Sequence, residues 1–175
     1  MKNKIIECAK KYDADIVGFA DASRFSKDDE IFKIFPGTKT VIGLGFRVLR
    51  GIYRGVEEGT TYYQYTTMGV ENLEETVMPL ALINVSNLIE DEGFLAIPQR
   101  KNQLIMNDSS GTNPEVDYTD VVRGVKAEHQ IDFLNCAVMC GLGEKSMINS
   151  LLTDEYGPFI RYCFILTDME FEATP

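Results

Sequence analysis

The chain has 175 residues, of which 45% are hydrophobic, and a formal net charge of −10 at pH 7. This length suits one domain spanning residues 1–175, and no apolar run approaches the roughly 20 residues that cross a bilayer. An acidic surface repels phosphate backbones, which disfavours nucleic-acid binding, and the charged N-terminus is not a secretion signal, so we expect a cytoplasmic protein.

The beginning of the chain predicts one helix and two strands. Apolar residues at helical spacing predict a helix over 3–12, and a short apolar run predicts a strand over 16–20. A second strand, over 40–46, follows a Pro-Gly turn. It contains Gly43 and Gly45, and glycines in a strand often mark the close approach of another backbone or of a ligand.

The middle of the chain predicts a long helix and a brief strand. The helix covers 70–90 and carries Pro79 in its interior, so we expect a kink or break one turn before that proline. Gly93 supplies the residue that ends this helix. The strand over 94–97 is expected to stop at Pro98. Turn-forming residues dominate the segment that follows, over 99–126, which is typical of a lid, a binding segment or a disordered loop.

The C-terminal third predicts a helix, a sharp bend and a buried strand. Apolar residues from 131 to 139 keep to one side of a helical spiral. Gly141-Leu142-Gly143, which we call the glycine elbow, ends that helix because glycine tolerates a left-handed backbone and carries no side chain. Aromatic and β-branched residues over 159–166 predict the strand.

Three tyrosines stand close together after a loop-like segment, at Tyr62, Tyr63 and Tyr65. A phenol pairs an apolar face with a polar tip. The segment therefore predicts either a wall for a planar cofactor or a packed aromatic edge.

Few side chains offer proton transfer or metal ligation. His129, the single histidine, is the candidate proton donor because Glu128 and Asp132 beside it favour the charged imidazole, and a solvated helix start is the alternative. Without a C-x-x-C pair the cysteines make a poor metal site, so we expect them to act as small buried hydrophobes. They are Cys8, Cys136, Cys140 and Cys163.

An ordered set of short motifs runs through the C-terminal third. It reads Ala-x-x-x-Gly-Leu-Gly, Leu-Leu-x-x-x-Tyr-Gly-Pro-x-x-Arg and a strand ending in Thr-Asp. The residues are Ala137, Gly141, Leu142, Gly143, Leu151, Leu152, Tyr156, Gly157, Pro158, Arg161, Thr167 and Asp168. In order and spacing the set resembles the cobalamin-dependent reductases that include epoxyqueuosine reductase and the reductive dehalogenases.

The resemblance implies an α/β (α+β) fold in which a mixed sheet is flanked by helices, as in the flavin nitroreductases. It also implies a cofactor-binding module for reductive chemistry, with cobalamin as cofactor, FMN as the alternative and a donor protein as the source of electrons. We expect the cofactor to be bound by Gly141, Leu142, Gly143, Asn149 and Tyr156, with Tyr63, Tyr65 and Arg161 behind them.

Three departures from the family pattern favour a non-catalytic relative as the alternative function. The position of the family's catalytic aspartate is Ala127, and a glycine that follows the family's elbow is replaced by Ser146. The iron–sulfur cysteines that follow the Thr-Asp strand in the family have no counterpart before Pro175, so clusters are expected only if a C-terminal segment is missing. A homodimer with a tyrosine-rich interface is a further alternative.

Overall fold

The structure is a computed structural model, and it describes residues 1–61, 64–100 and 129–175. Its helices are α1 (Lys2–Lys11), α2 (Glu30–Ile34), α3 (Arg54–Glu57), α4 (Met78–Glu90) and α5 (Phe133–Met139). Its strands are β1 (Ile16–Asp21), β2 (Thr40–Arg47), β3 (Ala96–Gln99), β4 (Glu144–Lys145), β5 (Leu151–Leu152) and β6 (Ile160–Thr167). Within these ranges, none of the helices is long and apolar enough to cross a membrane.

Four strands form the central sheet in the order β1-β2-β6-β3, and β4 pairs with β5 in a separate hairpin. Helices cover both faces of the sheet, which confirms the predicted α/β fold class. Each pair among the described strands is antiparallel, whereas a mixed sheet was expected.

Two hydrophobic layers lie on opposite faces of the sheet because successive strand residues point to opposite sides. On one face, α1 and α4 cover side chains that include Ile42, Leu44, Phe46, Cys163 and Ile165. On the other face, α2 and α5 cover side chains that include Ala20, Val41, Phe164 and Leu166. The central strands β2 and β6 are therefore apolar along most of their length, as strands covered on both faces are.

The α5 face carries a flat patch made by two glycines in register, Gly18 of β1 and Gly43 of β2. A Cβ at Gly18 would collide with the carbonyl oxygen of Cys140, and one at Gly43 would meet Leu142 Cδ1 at 3.0 Å. Cys140 Sγ also donates a hydrogen bond to the Val41 carbonyl oxygen at 3.3 Å. We call Gly18 and Gly43 the glycine seat. The close approach of another backbone occurs at Gly18, which the sequence analysis did not single out, whereas Gly43 faces side chains and a Cβ at Gly45 would make ordinary contacts.

The long helix begins earlier than predicted and changes its hydrogen-bond register. It is π-helical over Tyr65–Glu71 and Leu73–Val77, and α-helical only from Met78. Pro79 comes directly after the change to α geometry at Met78, and because it has no N–H it cannot donate the hydrogen bond that continuous helix would need there. The predicted break near this proline is thus a change from π to α geometry, and π segments are frequent at functional sites.

Pro98 lies inside β3 and does not end it, so that prediction was wrong. The reason is that, among the described strands, β3 lies at the edge of the sheet and pairs only with β6. An edge strand tolerates proline because one of its sides needs no backbone donor.

Replacing Gly18 with Ala is expected to lower the free energy of unfolding by about 3 kcal/mol, because the added methyl group overpacks against a backbone carbonyl. Urea denaturation followed by circular dichroism measures the change. The matched control is Gly51→Ala, where a Cβ would meet nothing within 4 Å, and its effect should stay below about 0.5 kcal/mol. Equal effects of the two variants would contradict the glycine seat.

Candidate functional site

A cavity of about 310 Å³ opens beside the start of β6. Its walls come from the turn before α3, the π-helical segments, the loop of the β4–β5 hairpin and β6 itself. The polar side chains in its lining are Tyr53, Tyr65, Glu74, Asn149, Ser150, Arg161 and Tyr162. We call it the tyrosine–arginine cavity, and its volume is at the lower end of the roughly 300–1,000 Å³ typical of ligand pockets.

Arg161 joins two walls of this cavity. Its Nη1 atom lies 3.3 Å from Glu74 Oε1, and its Nη2 atom donates to the Tyr65 hydroxyl at 3.4 Å. Glu74 is buried, and a charged partner offsets the cost of removing its carboxylate from water. Both contacts are longer than a strong charge-assisted hydrogen bond, so the guanidinium keeps donor capacity for a carbonyl or anionic group of a ligand.

Tyr53 and Tyr65 form an aromatic wall. Their ring centroids lie 4.8 Å apart, and Tyr53 also packs edge-on against Phe159 at 4.8 Å. Burial raises the pKa of Tyr53, and the neighbouring Tyr65, which accepts a hydrogen bond from it, raises that pKa further. The Tyr53 hydroxyl therefore stays protonated at neutral pH, with its one O–H already directed at Tyr65.

Asn149 reaches the cavity through the turn of the β4–β5 hairpin. Its φ of 60° is left-handed, a conformation that asparagine tolerates better than most residues with a side chain. The turn is closed by a hydrogen bond from the Asn149 amide to the Ser146 carbonyl at 3.1 Å and by a 2.8 Å contact between the Ser146 and Ser150 hydroxyls. Ser146, which departs from the family pattern, is therefore part of the turn that presents Asn149.

The glycine elbow lines a different cavity, of about 540 Å³. Gly141 has the left-handed backbone (φ 72°) expected at the end of α5, and Leu142 is buried on the glycine seat. A Cβ at Gly143 would collide with the carbonyl oxygen of Leu152 in β5. Contacts within the protein thus account for the missing side chains, and cofactor binding by the elbow stays a prediction.

Tyr156 lines a third cavity, of about 500 Å³. This cavity adjoins the tyrosine–arginine cavity, because Val48 and Pro158 line both. Tyr63 is outside the described residues, so its predicted role is not addressed by the structure.

His129 does not line the tyrosine–arginine cavity. Its Nδ1 atom is 2.9 Å from Glu30 Oε2 in α2, and the ring lines a cavity of about 300 Å³ that shares Phe133 with the tyrosine–arginine cavity. Asp132, its expected partner, accepts a hydrogen bond from the Asn135 amide and caps α5 instead. A role for His129 in proton transfer stays a prediction.

Sequence reasoning missed Tyr53, Glu74 and Tyr162. A signal existed for Glu74, because helical spacing places it on the same stripe as Val77, Met78 and Ala81, and a carboxylate on an apolar stripe is unusual. Tyr53 had no local signal, since it lies in a loop-like segment. It joins the site through tertiary packing alone.

The buried thiols do not form a reactive site. Cys136, Cys140 and Cys163 are buried, and burial raises the pKa of each thiol above its ordinary value. Thiols that stay protonated are poor nucleophiles and poor metal ligands. Across the described ranges, no group of three or more His, Cys, Asp or Glu side chains is placed to hold a metal ion.

Solved structures of epoxyqueuosine reductase are similar to this chain. The Bacillus subtilis enzyme, with its catalytic loop swung out of the active site, aligns with a TM-score of 0.59 and 14% identity over 99% of this chain and 46% of that chain. Epoxyqueuosine reductase in complex with an epoxyqueuosine-modified tRNA-Tyr stem loop aligns with a TM-score of 0.58 and 14% identity, over 99% of this chain and 46% of that chain. The Streptococcus thermophilus enzyme aligns with a TM-score of 0.53 and 14% identity, over 100% of this chain and 48% of that chain.

These structures show a shared fold, and the chain spans just under half of their length. No protein-family model matches the chain, and neither does any curated protein. The resemblance seen in the short motifs is therefore supported at the level of fold.

In the native protein, Cys8 should react with a thiol reagent such as 5,5′-dithiobis(2-nitrobenzoate) before the other cysteines, because it is the one that is only partly buried. The remaining three should react only when urea unfolds the chain. Absorbance of the released thiolate gives the count with and without urea, and Cys8→Ser should remove the native-state reaction. Native-state labelling of Cys136 or Cys140 would contradict the buried arrangement.

Proposed function

We propose that the chain is a reductase-type module that binds a conjugated-ring cofactor, a corrinoid, in the tyrosine–arginine cavity. One observation carries the proposal: Tyr65 and Arg161, both candidates from the sequence, meet in one cavity beside the buried carboxylate of Glu74. The shared fold with epoxyqueuosine reductases supports a reductase-related role. Substrate and turnover belong to the proposal, since the chain covers just under half of those enzymes.

The lining fits one edge of a large planar ring. Tyr53 and Tyr65 offer aromatic surface, while Arg161 offers donors to amide or carboxylate groups at the ring's edge. The adjoining cavity of about 500 Å³ extends the room available beyond Val48 and Pro158. Within the described residues, no His or Cys lines the tyrosine–arginine cavity, so this lining provides no imidazole or thiolate ligand for a metal at the ring's centre.

A bound corrinoid supplies metal-centred reductive chemistry, and the side chains of this protein position it. Glu74 restrains the Arg161 guanidinium, which limits the freedom that ligand binding would otherwise remove. The Tyr53 hydroxyl keeps its proton at neutral pH, so the aromatic wall adds no charge to the site. Electrons come from a donor protein.

FMN is the second candidate, and the volume of the cavity favours it. A space of about 310 Å³ accommodates a tricyclic ring more fully than a corrin macrocycle. A flavin would keep the same contacts with the aromatic wall and with Arg161. A non-catalytic protein would bind its ligand in the same site. The sequence favours this alternative because Ala127 stands where the family pattern has its catalytic acid.

Titration of the purified protein with hydroxocobalamin and with FMN tests the proposal. We expect saturable binding of one of them, seen as an absorbance change for the corrinoid or as quenched fluorescence for the flavin. Arg161→Gln should weaken binding about tenfold or more, because it removes a charged donor from a partly buried site.

The matched control is Arg54→Gln, which alters an exposed arginine that pairs with Glu58 and lines neither cavity. It should bind as the wild type does. Failure of both compounds to bind would overturn the proposed function, as would equal weakening by the two variants. Turnover with an artificial electron donor would separate an enzyme from a non-catalytic binder.

A further inference from the structure

The cavity that adjoins the tyrosine–arginine cavity has two arginines at its rim, although the protein as a whole is acidic. The whole chain carries a net charge of −10, yet the cavity of about 500 Å³ is lined by Arg47 and Arg50, with Glu155 as the acidic residue of its lining. Its other walls are Val48 and Leu49 on one side and residues 156–159 on the other.

Each arginine makes one long ion pair, and that of Arg50 is exposed on both sides. Arg47 Nε lies 3.5 Å from Asp15 Oδ1, and Arg50 Nη2 lies 3.5 Å from Glu57 Oε1. The Arg50 and Glu57 side chains are exposed by 75% and 56%, and exposed pairs of this kind contribute little to stability. A ligand anion with several oxygens can therefore replace Glu57 at low cost, and the planar fork of arginine matches phosphate geometry.

A continuous aromatic path joins this rim to the tyrosine–arginine cavity. The Arg50 guanidinium lies over the Phe159 ring at 5.6 Å, and Phe159 packs against Tyr53, which in turn contacts Tyr65. Stacking on an aromatic face holds a guanidinium in place and leaves its N–H edge available. One ligand can therefore lay a ring against the two tyrosines and extend a tail to Arg50.

We propose that the cavity between Arg47 and Arg50 is a phosphate subsite, which receives the phosphate-bearing tail of the ligand whose ring occupies the tyrosine–arginine cavity. The inference rests on the proposed function for the ring and adds the class of ligand, a conjugated ring with a phosphorylated tail. It assigns a binding role to arginines that would otherwise be part of a solvated loop.

Ligand pairs that differ by the phosphorylated tail test this subsite. Wild-type protein should bind FMN about tenfold or more tightly than riboflavin, and cobalamin more tightly than cobinamide, which lacks the phosphate-bearing nucleotide loop. In Arg50→Gln the preference for the phosphorylated member should disappear, while riboflavin or cobinamide should bind as before. Arg50→Lys, which keeps the charge and loses the fork, should retain part of the preference. Arg54→Gln is the control and should keep all of it.

The outcomes distinguish the subsite from the ring site. Equal binding of both members of a pair by the wild type would overturn the subsite and leave the ring proposal standing, as would a preference that survives Arg50→Gln. If none of the ring compounds binds, the proposed function fails and inorganic phosphate becomes the probe. Phosphate should then raise the melting temperature of wild type and Arg54→Gln, but not of Arg50→Gln, relative to chloride at equal ionic strength. The absence of that difference would overturn the subsite.

Discussion

The contact between the glycine seat and the end of α5 determines the structure on that side of the sheet. Gly18 and Gly43 remove two side chains from adjacent strands, and the Cys140 carbonyl and the Leu142 side chain occupy the space. This contact fixes where the chain leaves α5, and Gly143 then brings it against the Leu152 carbonyl of the hairpin. The loop of this hairpin then forms one wall of the tyrosine–arginine cavity. A packing constraint inside the protein thereby sets the position of surface residues.

A second constraint is the charge of Glu74. A carboxylate this well buried requires a cationic partner, and Arg161 supplies it from β6, a strand 87 positions further along the chain. The pair holds the π-helical segment against the sheet and leaves the guanidinium edge in the cavity. In the proposed function, stability and recognition depend on the same ion pair, whereas Arg50, whose pair with Glu57 is exposed, can exchange its partner without such a cost.

Local signals in the sequence were sufficient for the elements that glycine and apolar periodicity define. The elbow, β1, β2, β6 and the helix end at Gly93 follow from such signals, and Gly93 has a left-handed φ of 86°. Periodicity does not distinguish π from α geometry over Tyr65–Val77. It also does not show which strand lies at an edge of the sheet, and that position is why β3 can contain Pro98. In the site, Tyr65, Asn149 and Arg161 could be named in advance, whereas Tyr53 enters it only by tertiary packing.

We propose that the ligand lies against the aromatic wall and that the glycine elbow serves packing within the protein. Backbone amide shifts in a ¹⁵N spectrum, recorded while FMN or cobalamin is added, test this placement most directly. We expect the largest shifts at Tyr53, Tyr65 and Arg161 and little change in the amides of the elbow. Shifts confined to Gly141, Leu142 and Gly143 would contradict this expectation and would place the ligand in the cavity beside the elbow.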